Sequence, residues 1–146
     1  MKKNTKGFTL IELLAVIVIL AIIMVIAVPQ LLNVIDSSRK SAWKSNVNLI
    51  EKGLELGKTL SDTNMTSTTF SLSDTCNSNN SGTDVTEKIK AIADISTTDI
   101  QVTCVSNTSV DVKAVSNGQF KGQSTIRITC DDNGCSNNWS TVYPEK

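Results

Sequence analysis

Lys2-Lys3-Asn4-Thr5-Lys6-Gly7-Phe8-Thr9-Leu10-Ile11-Glu12-Leu13-Leu14 opens into an apolar run that continues to Val28. From Leu13 to Val28 there are 16 residues without a polar side chain, and counting back to Phe8 gives 21 positions with only Thr9 and Glu12 inside. A helix crosses a bilayer with roughly 20 residues at about 1.5 Å rise each. The segment is therefore long enough to span. Lys2, Lys3 and Lys6 precede it, and Arg39-Lys40 follows it. Short lysine-rich flanks stay on the cytoplasmic side, which places the leader inside and the chain after about residue 35 outside. A buried core helix is excluded by size, because the remaining chain is too small to enclose it. Glu12 is the exception within the run. A carboxylate in hydrocarbon carries a heavy penalty unless it finds a partner, so an ionisable residue there is functional by default.

A short basic leader ending in Gly7, followed by Phe8-Thr9-Leu10-Ile11-Glu12, resembles the class III signal of the type IV pilin family. The leader is short, as in type IVa-like members, and the resemblance covers residues 1 to about 60. It implies cleavage between Gly7 and Phe8 by a prepilin peptidase and N-methylation of the new Phe8 amine. It also implies an assembly role for Glu12, a helix-kinking role for Pro29, and a platform protein and a motor ATPase as partners. An ordinary secretory signal is cut after its apolar region, at small residues. Here the cut precedes the apolar region, so the helix stays in the mature chain. A plain signal anchor explains neither Glu12 nor Gly7-Phe8.

The 146 residues suffice for one small domain plus a membrane element. Basic and acidic side chains number 14 each. Removing the leader leaves 11 basic against 14 acidic, a formal −3 before the new amine is counted. No basic patch points to nucleic acid. The chain has no histidine, which removes the usual general base and the commonest metal ligand. A His-based triad or a His-containing zinc site is excluded, and no cofactor is expected.

Beyond the apolar run, residues 31 to 60 contain no proline. Trp43, Val47, Ile50 and Leu54 fall at i, i+4, i+7 and i+11, with Leu49, Leu56 and Leu60 widening the stripe. One helix from about Phe8 to Leu60 is expected, with Pro29 inside it. Proline removes a backbone hydrogen bond and crowds the preceding turn, which kinks or loosens a helix. Gly53 and Gly57, four apart, could permit close packing on another helix, although approach to the domain's own sheet, or fraying, accounts for them more simply. The expected division is leader 1–7, membrane or filament-core half-helix 8–35, and head 36–146.

Residues 61–82 are polar, with Met65, Phe70, Leu72 and Cys76 as the only anchors. Within the loop region 61–99 a short helix is expected after Asp84, with Glu87 three residues on in a capping-box pattern and Val85, Ile89 and Ile92 on its apolar face. From residue 100 the period becomes two: Ile100, Val102, Cys104; Val110, Val112, Ala114; Ile126, Ile128, Cys130. Asn107-Thr108-Ser109, Asn117-Gly118 and Gly122 supply turns between them. This predicts a three-stranded antiparallel meander over 100–146, with Asp131-Asp132-Asn133-Gly134 as a further turn and Trp139 to Tyr143 as a fourth strand. The sheet's apolar face and the helix stripe each need a partner, and packing one on the other gives an α+β fold. The same layout, a long N-terminal helix carrying an antiparallel sheet of three or four strands, looks like the pilin fold.

Cys76, Cys104, Cys130 and Cys135 all lie in the outer part, and four cysteines allow three connectivities. Cys104 and Cys130 sit on the first and third strands of the meander, about 9–10 Å apart. A disulfide needs Cα atoms within about 7 Å. Cys130–Cys135 with Cys76–Cys104 is favoured, the second bond stapling the polar loop with roughly 3 kcal/mol by the chain-entropy argument. A four-cysteine zinc site is the alternative, although the spacing lacks two close pairs. No C-x-x-C suggests redox chemistry. Four N-x-[ST] matches, among them Asn107-Thr108-Ser109, are expected by chance in so Asn- and Ser-rich a chain.

An all-round apolar helix outside lipid must be hidden by other such helices. Within a bundle Glu12 needs a cation, and cleavage creates one at Phe8. Pairing across subunits would set the axial stagger, since a mispaired subunit leaves a buried charge. The sequence therefore points to a structural, non-enzymatic, self-assembling subunit of a type IV pilus, stored in the membrane and exported into a filament. A pseudopilin or minor pilin of a type II secretion or DNA-uptake machine carries the same N-terminal signature. A membrane-anchored enzyme lacks any nucleophile elbow or phosphate loop here, and a tip adhesin is a third class.

Overall fold

The computed structural model describes residues 7–62, 72–77, 79–95 and 98–143. Lys2, Lys3, Lys6, Met65 and Phe70 lie outside the described residues. Helix α1 runs from Leu10 to Asp62 with Pro29 inside it. The chain divides into two compact units between Ser38 and Arg39. In the first unit every described residue is exposed, including large side chains such as Phe8 at 93% and Leu10 at 83%. This segment has the length and composition to cross a membrane.

In the second unit the later part of α1 meets a sheet. Trp43, Val47, Ile50 and Leu54 are at most 3% exposed. They join one apolar core with the inner faces of β1 (Ile100–Ser106), β2 (Ser109–Ala114), β3 (Ile126–Asp131) and β4 (Gly134–Asn137). The strands are antiparallel in the order β1-β2-β3-β4, with Val102 opposite Val112, Val110 opposite Ile128 and Cys130 opposite Cys135. Alternation puts Ile126, Ile128 and Cys130 inside and Arg127 and Thr129 outside. The arrangement is α+β and pilin-like. Short helical segments complete it: α2 (Leu72–Thr75), α3 (Thr86–Ala93) and α4 (Trp139–Val142).

Three local expectations are corrected. Leu49 and Leu56 do not widen the core stripe: they are 45% and 52% exposed, because the buried face is taken by Trp43, Val47, Ile50 and Leu54 with Gly53 and Gly57. A Cβ on Gly53 would lie 2.9 Å from the Ala93 backbone, so this glycine admits α3 rather than the sheet. Trp139 to Tyr143 is not the fourth strand. The turn at Asp132-Asn133 is tight enough that β4 begins at Gly134, which adopts φ +130°. The ladder then ends as Asn138 Oδ1 accepts from Arg127 N at 2.8 Å, and Asn137 Oδ1 accepts from Trp139 N at 3.0 Å to turn the chain into α4.

The capping box at Asp84 does not close either. Helix α3 begins at Thr86, and Asp84 Oδ1 accepts from the Thr86 N–H at 2.9 Å and from the Thr86 hydroxyl. Glu87 pairs with Lys90 at 3.0 Å instead of reaching back. Val85, Ile89 and Ala93 are buried while Ile92 is only half-buried.

Candidate functional site: the N-terminal segment

Gly7, Phe8 and Thr9 precede α1 without helical conformation. The Gly7–Phe8 bond is open: Gly7 and Phe8 are exposed, and nothing lies within 4 Å of a Cβ placed on Gly7. The helix starts next to it for a local reason. Thr9 O accepts from Leu13 N at 3.3 Å, and Thr9 Oγ1 accepts from Glu12 N at 3.3 Å. In return Glu12 Oε2 accepts from Thr9 N and from Thr9 Oγ1, both at 2.8 Å. Thr9-Leu10-Ile11-Glu12 is thus a reciprocal capping box, with Thr9 as N-cap and Glu12 at the third helical position. The carboxylate also sits at the positive end of the helix dipole. Sequence reasoning sought this box at Asp84 and overlooked it at Thr9, although the threonine-to-glutamate spacing was legible.

The geometry gives Glu12 two donors inside its own chain. Both converge on Oε2, leaving Oε1 without a partner among the described residues. A carboxylate so held has no cation beside it among the described residues. Pro29 lies about five turns further along α1, at 3.6 residues per turn, where its missing N–H deprives the Val25 carbonyl of its helical donor.

The cysteines lie in the head. Cys76, just after α2, is bonded to Cys104 of β1 with a Cα–Cα distance of 5.4 Å. Cys130 is bonded to its directly paired partner Cys135 across β3 and β4. The hairpin so tied lies along a polar flank of α1. Asn137 Nδ2 donates to Glu51 and, at 3.4 Å, to Asn48 Oδ1, while Lys58 donates to the Asp131 carbonyl. Gly134 faces the Glu55 carboxylate, and a Cβ there would stand 3.1 Å from Oε1. Lys40 lies 4.4 Å from the Tyr143 ring centre and Lys44 lies 5.6 Å from that of Trp139, holding α4 to the same flank. The Tyr143 hydroxyl accepts from Ser124 N at 2.6 Å and donates to Gln123 Oε1 at 3.0 Å.

Two head ion positions are perturbed. The Thr86 hydroxyl, then Gln101 and the Thr86 N–H, hold the Asp84 carboxyl below its ordinary value. Arg127, forked onto Asp111 at 2.8 and 3.0 Å, is pushed upward by those bonds. Both are structural contacts on the surface of the sheet and its covering segment.

Residues 2–28 match the family model of the prokaryotic N-terminal methylation motif. Comparison with curated proteins and with solved structures gives no match. This motif, over the N-terminal segment alone, supports a class III signal and a type IV pilin-like or pseudopilin-like prepilin. The motif points to a structural subunit processed by a prepilin peptidase and assembled into a pilus-type filament. The apolar helix and the motif together fit a membrane-anchored precursor.

Proposed function

We propose that this chain is a filament-forming pilin: a precursor held in the membrane by its N-terminal helix, cut between Gly7 and Phe8, methylated at Phe8 and polymerised outside the cell. In this reading residues 1–7 are the discarded leader, 8–35 are the part that moves from lipid into the filament core, and 36–146 form the displayed head. The observation that supports it most is the chemistry around Glu12. The only carboxylate in an exposed apolar helix lies four residues from the amine that cleavage would release. A unit charge left unpaired in an apolar bundle costs about 3–5 kcal/mol, so matching Glu12 of one subunit to the Phe8 amine of the next selects one stagger. The kink at Pro29 and the platform and motor proteins belong to the same reading.

Glu12→Ala tests it. Processed Phe8 chains should accumulate in the membrane, while sheared filament falls on the order of a hundredfold or more, as expected for a few kcal/mol per contact. Wild-type filament yield from Glu12→Ala refutes the pairing. A wild-type chain that is cut and methylated but never leaves the membrane fraction favours a pseudopilin or minor subunit of a secretion or DNA-uptake machine.

A further inference from the structure

We propose that Arg39, Lys40 and Lys44 of α1, with Trp139 and Tyr143 at the two ends of α4, form a seat for anionic phospholipid headgroups, holding the head of the precursor against the leaflet from which it emerges. The proposal rests on the membrane-stored reading and adds a contact surface to it. Charge is unevenly spread on this chain. After residue 7 it is acidic overall, with 11 basic against 14 acidic side chains. Yet residues 37–50 carry Arg39, Lys40 and Lys44 and no acid, and residues 134–143 carry no charge at all. The fold brings these two segments together. Lys40 Nζ lies 4.4 Å from the Tyr143 ring centre, Lys44 Nζ lies 5.6 Å from that of Trp139, and the two rings pack 4.5 Å apart.

The chemistry of this cluster suits a phosphate ester. A ring face orients an ammonium without neutralising it, so both lysines are placed and keep their charge. Each ammonium has three donors, and the ring occupies one side of it. Arg39 is exposed, and its planar fork matches two phosphate oxygens. Among the described residues no ion pair takes Arg39, Lys40 or Lys44. A run of exposed basic side chains alone is an ordinary solvated face. Here two aromatic rings stand among them, the combination that marks a membrane–water boundary, with amphipathic rings at headgroup level and basic side chains reaching the phosphates. Chain position agrees. Lys40 and Lys44 follow Ile35, the last large exposed apolar residue before the head, by five and nine residues. An acidic protein surface would also answer the charges, but closeness in the chain to the apolar span favours lipid.

The test uses the full chain in uncharged detergent micelles, into which phosphatidylglycerol or phosphatidylcholine is titrated while the indole N–H resonance of Trp139 is followed. A saturating shift with phosphatidylglycerol, absent with phosphatidylcholine and weakened by salt, is expected. Lys40→Gln and Lys44→Gln should each raise the half-saturating fraction of phosphatidylglycerol about fivefold, the effect of one basic side chain at an anionic surface. Lys40→Arg and Lys44→Arg should keep the wild-type value, and so should Lys88→Gln, exposed on α3. Equal shifts from the two lipids, or an equal loss from Lys88→Gln, would overturn the proposal. So would the same shift from dissolved glycerol phosphate, which makes the patch a plain anion site, or a shift that follows protein concentration without phosphatidylglycerol, which assigns it to a second copy. The parent reading fails separately if alkaline washing strips the chain from the membranes of producing cells. The titration does not require a spanning helix and decides the headgroup contact in either case.

Discussion

The stem and the head share one helix and treat the same side chains in opposite ways. Between Leu10 and Ile35 the large apolar residues are 38–83% exposed, whereas Trp43, Val47, Ile50 and Leu54 are at most 3% exposed. The head has a sheet to cover its stripe. Among the described residues nothing covers the stem, as the proposed storage in lipid and packing among other copies would require.

The largest intramolecular effect should come from breaking the head side of that contrast. Trp43→Ala removes a fully buried indole packed at a tilt against Phe120, with ring centres 5.3 Å apart. It should destabilise the head by about 3–5 kcal/mol, read as a lower denaturant midpoint of the detergent-solubilised chain followed by Trp139 fluorescence. Leu14→Ala, a comparable deletion in the stem, should leave that midpoint unchanged. Equal shifts from both would erase the distinction between the units. Gly53→Leu comes next. Its side chain must displace the Ala93 backbone, at a cost of about 1–3 kcal/mol. The same change at Gly7, where nothing is near, should not move the midpoint.

The caps sharpen the comparison at a smaller scale. Thr9→Val should weaken the capping box by about 1 kcal/mol, and Thr9→Ser should restore it. Amide exchange at Leu10 to Glu12 in micelles reports this directly, and identical exchange in Thr9→Val and wild type would contradict the box. The smallest effect concerns pH. Asp84 has a depressed folded-state pKa, so its contribution is complete above the unfolded value of about 3.9 and disappears as pH falls through the lower folded value. Asp84→Asn should flatten the stability profile in that acid window and nowhere above it. A profile that keeps its full acid slope would assign the slope to other carboxylates.

What was legible in the sequence follows from how many residues carry each signal. The apolar run and the alternation at 100–104, 110–114 and 126–130 each repeat over many positions, and the helix and three strands stand where those periods put them. Single-residue decisions were less legible. Leu49 and Leu56 have core-like chemistry, but the width of the buried face is set by the sheet, which helical spacing cannot report. Trp139 to Val142 looked like a strand because aromatic and β-branched residues favour one. The tight turn before Gly134 had already supplied the fourth strand. At the candidate site, Glu12 and Gly7-Phe8 were plain from residue type. The role of Thr9 needed the helix start, which lies one residue beyond it.

The measurement closest to the central claim is intact-mass and N-terminal analysis of filaments sheared from producing cells. A dominant chain beginning at N-methylated Phe8, with the mass deficit of two disulfides, is the expected result. A Met1 chain that remains uncut in the membrane, with no Phe8 species in the sheared fraction, would contradict it and leave a signal-anchored protein in place of a filament subunit.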